Sequence, residues 1–303
     1  MKSIVIFLLL SLFSEAKIQM AITVDDLPAH GQLPGGYNRL QITKKMLDVL
    51  KSHQIPEVYG FLNASKIGDD KILMESVKLW TDTGYPLGNH TFTHKSINKV
   101  SLAEFKQEID NNESALQNYG GKFDWKYFRY PYLHEGNTLE TRNAIRDHLK
   151  SKGYKIAQVT VDFEDWSWND PYARCLDKNE KKTIKWLKST FIANAKEHLR
   201  REVKLSKFLF QRPVKHILLL HVGAFDADMM DELLLMYKKE GVEFIPLSEA
   251  ISDEIYTIDP ALAAEHGSEL TFQILKSKNL KLKDAGLKKF SMYPKEKLDK
   301  VCR

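Results

Sequence analysis

The feature that most constrains the fold is an alternation of short apolar runs with longer segments of helical periodicity. Seven runs have the length and composition of buried strands: Ile18–Val24, Val58–Leu62, Tyr85–Gly88, Tyr127–Tyr130, Ile156–Val161, His216–Leu220 and Val242–Leu247. The segments between them place apolar residues three and four positions apart, namely Leu40–His53, Ile72–Thr81, Leu102–Tyr119, Leu139–Lys152, Thr183–Leu205 and Asp228–Lys239. Strand alternating with helix predicts right-handed crossovers and a parallel sheet. The number of units favours a distorted or incomplete (β/α) barrel of about seven parallel strands, because the sequence lacks the G-x-G-x-x-G turn of an open doubly wound sheet.

Composition and charge exclude several classes of protein. With 43% hydrophobic and 28% charged residues in a chain of 303, the composition is that of a folded globular protein, not of a disordered or polytopic membrane protein. The net charge of +5 is unevenly placed, because Lys276–Arg303 has ten basic and three acidic residues, a net +7 that leaves −2 for the remainder. A nucleic-acid surface needs positive charge spread over one face, so no nucleic-acid partner is expected. The basic end is predicted to be a solvated helical appendage, with contact to an anionic polymer as the alternative.

The first sixteen residues have the pattern of a secretory signal peptide. Met1-Lys2 is positively charged, Ile4–Phe13 is apolar but short for a bilayer span, and Ser14-Glu15-Ala16 is a small-x-small cleavage signature. The prediction is export to the periplasm or beyond, without stable membrane insertion; a buried N-terminal strand or helix is the alternative. Outside the cytoplasm, Cys175 and Cys302 either form a single disulfide or remain free, and the sequence leaves this open.

Polar residues lie at or just after the point where five of the predicted strands would end. They are Asp25-Asp26, His90 with His94, Arg129 with Tyr132, Asp162 with Asp165, and His221. In a parallel barrel, the loops after the carboxyl ends of the strands form the active-site face. The five groups are therefore predicted to converge on one face of the barrel.

His90 and His94 are candidate metal ligands. Their spacing of four residues lets both imidazoles meet one ion on a helical turn. The carboxylates of Asp25 and Asp26 are adjacent and would repel each other if both were charged, unless a bound cation makes one of them a ligand and the other a base. A turn or helix-capping role is the alternative for this pair. Two imidazoles and one carboxylate with open positions suit a catalytic zinc or a similar divalent ion. A ferrous oxygenase triad is a further alternative, but that chemistry usually sits on a double-stranded β fold.

These residues lie in five ordered motifs that resemble those of the polysaccharide deacetylases, the NodB-homology proteins of carbohydrate esterase family four. The motifs are Thr23-Val24-Asp25-Asp26, His90-Thr91-Phe92-Thr93-His94, Arg129-Tyr130-Pro131-Tyr132, Asp162-Phe163-Glu164-Asp165-Trp166 and Leu218-Leu219-Leu220-His221. The resemblance extends from about Met20 to Leu247.

The resemblance implies roles for the residues on the metal side of the site. Asp25 corresponds to the catalytic base. Asp26, His90 and His94 correspond to the ligands of Zn²⁺ or another divalent ion such as Co²⁺. Arg129 corresponds to the arginine that orients the base.

The same resemblance implies roles on the acid side. His221 corresponds to the general acid, and Asp165, or less favourably Asp162, to the acid that tethers it. The backbone N–H of Tyr132 corresponds to the donor that helps to hold the oxyanion.

Substrate contacts are also implied. Trp166 corresponds to an aromatic wall of the groove, and Leu218 and Leu220 to the small apolar pocket for the acetyl methyl. Trp168 lies with Trp166 in what is predicted to be a polar loop, so it is expected to line the groove as well. His134 is predicted to be a solvated loop residue, with an extension of the site as the alternative.

Three departures from the family pattern surround the mouth of the groove. Leu27-Pro28 follows the acid pair where glycine is usual, Leu133–Glu135 precedes Gly136, and Val222–Phe225 follows the last histidine where an acid is usual. Because these departures replace no metal ligand and no catalytic acid or base, they are expected to affect the choice of substrate and not the chemistry.

The resemblance implies an exported metal-dependent hydrolase that removes N-acetyl groups from the amino sugars of a cell-wall polysaccharide. Peptidoglycan N-acetylglucosamine is favoured for a bacterial source, and chitin oligomers, poly-N-acetylglucosamine and O-acetylated xylan are alternatives. A non-catalytic glycan-binding module is an alternative of another class. The expected organisation is a signal peptide at 1–16, a catalytic domain at 17–250 and a basic extension at 251–303; the oligomeric state stays open.

Overall fold

A computed structural model describes residues 17–288 and 294–303, so the expected signal peptide lies outside the described residues. Seven strands are present in the described ranges: β1 (Ile18–Leu27), β2 (Tyr59–Leu62), β3 (Leu87–Asn89), β4 (Tyr127–Phe128), β5 (Lys155–Ile156), β6 (His216–His221) and β7 (Val242–Phe244). Their pairings are parallel, in the order β5-β4-β3-β2-β1-β6, with β7 paired to the first residues of β1. The predicted parallel sheet is confirmed.

The segment that begins with β5 closes the sheet into a distorted barrel. At its start, the Ala157 amide donates to the carbonyl of Phe128 in β4, at 2.8 Å. At its end, the Val161 amide donates to the carbonyl of Ile217 in β6 at 3.0 Å, and the Val161 carbonyl accepts from the Leu219 amide at 3.0 Å. The predicted strand Ile156–Val161 therefore pairs with β4 at its start and with β6 at its end, and these two contacts close the ring of strands.

Ten α-helices surround the strands in the described part of the chain: α1 (Arg39–Ser52), α2 (Lys71–Asp82), α3 (Leu102–Gly120), α4 (Leu139–Ser151), α5 (Trp166–Asp177), α6 (Lys181–Phe210), α7 (Ala224–Lys239), α8 (Leu247–Ala250), α9 (Leu270–Ser277) and α10 (Lys295–Lys300). The six predicted helices are all present. Within the described residues, no helix is long and apolar enough to cross a membrane.

Helix α5 lies where the sequence was expected to form a polar loop. The first residues of α5 are mostly polar, which favoured the loop prediction. Trp168, Tyr172 and Cys175 are nevertheless buried, and they recur at intervals of four and three residues. That is the period of one helical face. The loop prediction is wrong because it weighed composition over periodicity.

The C-terminal residues pack against the barrel and do not form a solvated appendage. In α9, Leu270 and Ile274 are buried in a cluster with Val214 and Ile255. Leu298 of α10 is buried in the main hydrophobic core. Cys302 forms a disulfide with Cys175 of α5, with Cα atoms 5.1 Å apart. The apolar residues that interrupt the lysines are therefore what holds this end in place.

Candidate active site

The register of the strands aligns the ends that carry the motifs. Asp25 and His221 are direct partners on the parallel strands β1 and β6. Asn89 pairs with Phe128, so the residues that follow them, His90 and Arg129, leave neighbouring strands side by side. The predicted convergence is observed, because one cavity of about 650 Å³ is lined by Asp25, Asp26, His90, His94, Tyr132, Asp162, Trp166 and His221.

Asp26, His90 and His94 form a cluster with the geometry of a metal site. Their ligand atoms all lie within 4.8 Å of one another, and Oδ1 of Asp26 is 3.4 Å from Nε2 of His94 and 4.0 Å from Nε2 of His90. Nδ1 of His90 donates to the backbone carbonyl of Arg129 at 2.8 Å, which leaves Nε2 as the acceptor facing the cluster. Ligands that are about 2.0–2.2 Å from a zinc ion are themselves only a few ångströms apart, so this donor set fits one.

The charge states of the cluster suit a divalent cation. Burial lowers the pKa of His94 to about 4 and that of His90 well below its usual value, so both imidazoles are neutral near pH 7. Burial opposes ionisation of Asp26, but a hydrogen bond from His30 and the Lys66 ammonium hold the pKa of that carboxyl well below its usual range. Neutral imidazoles and an ionised carboxylate are the forms that bind metal.

His30 and Lys66 were missed from the sequence. Nδ1 of His30 donates to Oδ2 of Asp26 at 2.7 Å, and Nζ of Lys66 lies 3.1 Å from Oδ1 of the same residue. Lys66 follows strand β2, so extending the strand-end argument to that strand would have found it. His30 lies in the loop that departs from the family pattern, and its sequence context gives no comparable signal.

Asp25 is held by a buried arginine. Nη1 of Arg129 lies 3.1 and 3.2 Å from the two carboxylate oxygens of Asp25. The other donors of Arg129 bond the hydroxyl of Thr23 at 3.0 Å and the carbonyl of Ala157 at 2.6 Å, so the guanidinium has a fixed orientation. Burial raises the pKa of Asp25 to about 6 although Arg129 opposes the rise. A carboxylate with a raised pKa is a stronger base than a solvated one.

His221 is tied to Asp165 by two hydrogen bonds. Nδ1 of His221 donates to Oδ1 of Asp165 at 2.9 Å, and the His221 amide donates to Oδ2 at 2.7 Å. Burial disfavours the imidazolium, but the Asp165 carboxylate outweighs it and raises the pKa of His221 to about 10. Asp162 instead accepts a hydrogen bond from the Glu164 amide. Of the two acids weighed from the sequence, the structure brings Asp165 to the histidine.

Strained backbone is concentrated at this site. Six non-glycine residues of the motifs and the turns beside them have left-handed φ values between 54° and 70°: Asp26, Thr91, His94, Tyr132, Leu133 and Glu164. Such conformations cost roughly 1–3 kcal/mol each and persist where the surroundings impose them. Here they turn the chain sharply at the strand ends and aim its side chains and amides into the cavity.

The structure corrects two of the predicted substrate contacts. Leu218 and Leu220 are fully buried in the core, whereas Leu219 lines the cavity. Side chains alternate along a strand, so the residue that shares a face with His221 is Leu219, two positions earlier. The assignment of Leu218 and Leu220 to the acetyl pocket is wrong for this reason.

The aromatic residues divide between the cavity and the core. Trp166 is 41% exposed and Tyr132 is 57% exposed, and both line the cavity. Trp168 is completely buried and packs against Phe191 and Phe225, so its predicted place in the groove is wrong. His134 is half-buried, lines the cavity and contacts the hydroxyl of Ser96, so it is not simply solvated.

One side of the cavity is acidic and was not predicted. Burial and repulsion from Glu164 and Glu269 raise the pKa of Asp162 well above its usual value. Glu269 belongs to the C-terminal residues, several of which line the cavity. This contribution comes from beyond residue 250, where the catalytic domain was expected to end.

Fold and site together define a parallel (β/α) barrel with a metal-ligand cluster beside a buried carboxylate and a carboxylate-bound histidine. Residues 14–157 match the family model described as polysaccharide deacetylase. The peptidoglycan-N-acetylglucosamine deacetylase of Bacillus cereus is 31% identical over 152 residues, which cover 50% of this chain and 47% of the relative. Residues 14–157 thus resemble the polysaccharide deacetylases, and the resemblance stated from the motifs is confirmed. The chain spans about half the length of the first curated relatives that it matches.

Solved structures support the same fold. The chitin deacetylase of the fungal pathogen Colletotrichum lindemuthianum has a TM-score of 0.53 at 19% identity, over 83% of this chain and 95% of that one. A protein of Bacillus anthracis described as a pseudoenzyme of carbohydrate esterase family four also has a TM-score of 0.53, at 15% identity, over 78% of this chain and 66% of that one. At these identities the likeness establishes the fold, and activity has to be argued from the site.

Proposed function

We propose that this protein is a metal-dependent hydrolase that removes N-acetyl groups from the amino sugars of a cell-wall polysaccharide, with peptidoglycan N-acetylglucosamine as the preferred substrate. The observation that carries the proposal is the juxtaposition of the Asp26, His90 and His94 cluster with Asp25 and His221 in one cavity. The relatives described as peptidoglycan deacetylases favour peptidoglycan as the polymer.

The residues of the chain supply the proton transfers that amide hydrolysis needs. Asp25 accepts a proton from the attacking water, while Arg129 holds its carboxylate in place. His221 is protonated at neutral pH and donates its proton to the leaving nitrogen, and Asp165 stabilises that imidazolium. The products are acetate and a free amine on the sugar. The backbone amide of Tyr132 is the proposed donor to the oxygen that gains negative charge.

Asp26, His90 and His94 would hold the divalent ion, Zn²⁺ or Co²⁺. When bound, such an ion polarises the carbonyl and activates water. The three residues are buried or half-buried around a single point, with a hydrogen bond to fix the ring of His90.

The proposed function is tested by acetate release from muropeptides and from chitin oligomers of known structure. A metal-replete preparation should release acetate, and Asp25→Asn should reduce the rate by about 10²- to 10⁴-fold. Asp48→Asn is the matched control, because Asp48 lies on the exposed face of α1 and pairs with Lys44. Unchanged substrate mass with the wild-type protein on every acetylated glycan would leave a binding module as the better hypothesis.

We also propose that the protein acts outside the cytoplasm. The disulfide between Cys175 and Cys302 supports this, because such bonds persist in oxidising compartments. Cell fractionation with N-terminal sequencing of the mature protein tests the proposal; the expected new N-terminus is near Lys17.

A further inference from the structure

The C-terminal segment, defined as residues 264–272, forms part of the wall of the catalytic cavity. His266, Gly267, Ser268, Glu269 and Phe272 all line the cavity that contains the metal cluster and His221. These residues lie outside the five motifs and outside the part of the chain that matches the family model.

The segment is pressed against the turn that carries the proposed oxyanion donor. A Cβ atom on Gly267 would lie 2.1 Å from the carbonyl oxygen of Tyr132 and 2.7 Å from atoms of Leu133. Only a residue without a side chain permits this approach. The segment and the Tyr132 turn thus form one continuous surface.

Hydrogen bonds hold the segment on both sides of the point where it contacts Tyr132. Before it, the Ala264 amide donates to the carbonyl of Gly136 at 3.0 Å, and the Asn98 side chain donates to two carbonyls of the segment. After it, the Leu270 amide donates to the carbonyl of Val159 at 2.7 Å, and the Thr271 hydroxyl donates to a carboxylate oxygen on α6 at 2.5 Å. A segment anchored in this way is a fixed wall and not a flexible flap.

The other walls are also joined to one another. The rings of His94 and Tyr132 have centroids 4.5 Å apart, and Nε2 of His30 lies 3.4 Å from the carbonyl of Trp166. The segment spans from the Tyr132 turn to Glu202 of α6, so it bounds the cavity on that side.

We propose that the C-terminal segment limits the site to the terminal sugar of a glycan chain or to a short oligosaccharide. An internal sugar of a long chain has neighbours on both sides, and the segment obstructs one of them. The cavity volume of about 650 Å³ is that of a pocket for a small ligand. This inference rests on the proposed deacetylase function and specifies the class of substrate.

The first test maps the position of deacetylation. N-acetylglucosamine tetramers and hexamers labelled at the reducing end are incubated with the wild-type protein, and the products are sequenced by tandem mass spectrometry. Loss of acetyl from one terminal unit is expected, with kcat/KM per acetylated unit about tenfold lower on the polymer than on the tetramer. Equal deacetylation of internal and terminal units would overturn the inference while leaving the proposed function intact.

A pair of phenylalanine variants links the pattern to the segment. Phe272→Ala removes a ring from the wall and should allow internal units to be deacetylated. Phe208→Ala is the matched control, because Phe208 packs in the same hydrophobic cluster as Phe272 but does not line the cavity. The control should lose comparable stability and keep the terminal pattern; the same pattern in both variants would contradict a role for the wall.

The affinity of the protein for oligomers of two to six units, measured by calorimetry, tests the restriction to short glycans separately from the proposed deacetylase function. If no glycan releases acetate, the proposed function fails, but affinity still reports the shape of the site. A closed site gives an affinity that stops rising at short length, which supports the inference. An affinity that keeps rising with length, or no binding of any oligomer, overturns it.

Discussion

Nδ1 of His221 lies 2.9 Å from Oδ1 of Asp165, and the amide of the same histidine donates to Oδ2. Both carboxylate oxygens are therefore directed at one residue, which fixes the ring and stabilises its charged form. A general acid with a pKa of about 10 remains protonated through the neutral range and loses its proton only as the pH rises toward that value.

Asp165→Asn should shift the alkaline limb of activity to lower pH. Without the Asp165 carboxylate, burial lowers the pKa of the imidazole and only the smaller contributions of Asp26 and Asp25 raise it, so the pKa of His221 falls. The deficit of the variant should therefore grow as the pH rises from 6 to 9, and a profile of kcat/KM against pH measures it. Asp162→Asn is the control, and it should leave the position of the alkaline limb unchanged.

Arg129→Lys should lower kcat with little change in KM. Lysine keeps the positive charge but loses the planar set of donors that joins Asp25, Thr23 and Ala157. A misplaced base costs on the order of 10²-fold in rate. Steady-state kinetics should compare it with Arg200→Lys, a surface arginine paired with Glu240. Equal rates for the two variants would remove Arg129 from the mechanism.

The elements that the sequence predicted well depend on local patterns. Strands β1 and β6 are continuous apolar runs, and His90 and His94 are four residues apart, so neighbouring positions were enough. The C-terminal wall was not predictable in this way, because Gly267 meets Tyr132 across more than a hundred residues of sequence. No periodic pattern in either segment indicates the contact between Gly267 and Tyr132.

Two of the wrong predictions could have been corrected from the sequence itself. The alternation of side chains along β6 already places Leu219, not Leu218 or Leu220, on the face of His221. The intervals between Trp168, Tyr172 and Cys175 already follow a helix. In both cases a family motif or a polar composition was given more weight than the period of the backbone.

The two tryptophans of α5 should respond differently to truncation. Trp166→Ala should raise KM for glycan and leave the free energy of unfolding within about 0.5 kcal/mol, because the side chain is at the rim of the cavity. Trp168→Ala should lower that free energy by about 3–5 kcal/mol, because it empties a fully buried site. Denaturant titration and kinetics on both variants distinguish the roles, and a KM effect without destabilisation for Trp168→Ala would contradict them.

Metal binding should be visible as stabilisation, independently of activity. At about 100 times its dissociation constant, a ligand that binds only the folded state adds about 2.7 kcal/mol. Zn²⁺ should raise the melting temperature of the chelator-treated wild type and have no such effect on His94→Ala. His134→Ala, which removes a histidine from the same cavity but not from the cluster, should retain the response. An undiminished shift in His94→Ala would place the ion elsewhere.

Loss of the disulfide should weaken the fold without abolishing the chemistry. The bridge joins residues 127 positions apart and ties the last residues of the chain to α5, where Arg174 also bonds the carbonyls of Leu298 and Val301. Cys302→Ser should therefore lower the free energy of unfolding by roughly 2–4 kcal/mol. Activity at 25 °C should persist, because neither cysteine lines the cavity. A reductant should lower the melting temperature of the wild type toward that of Cys302→Ser and leave the variant unchanged; a wild type insensitive to reductant, with both thiols free to labelling, would show that packing alone holds the C-terminus.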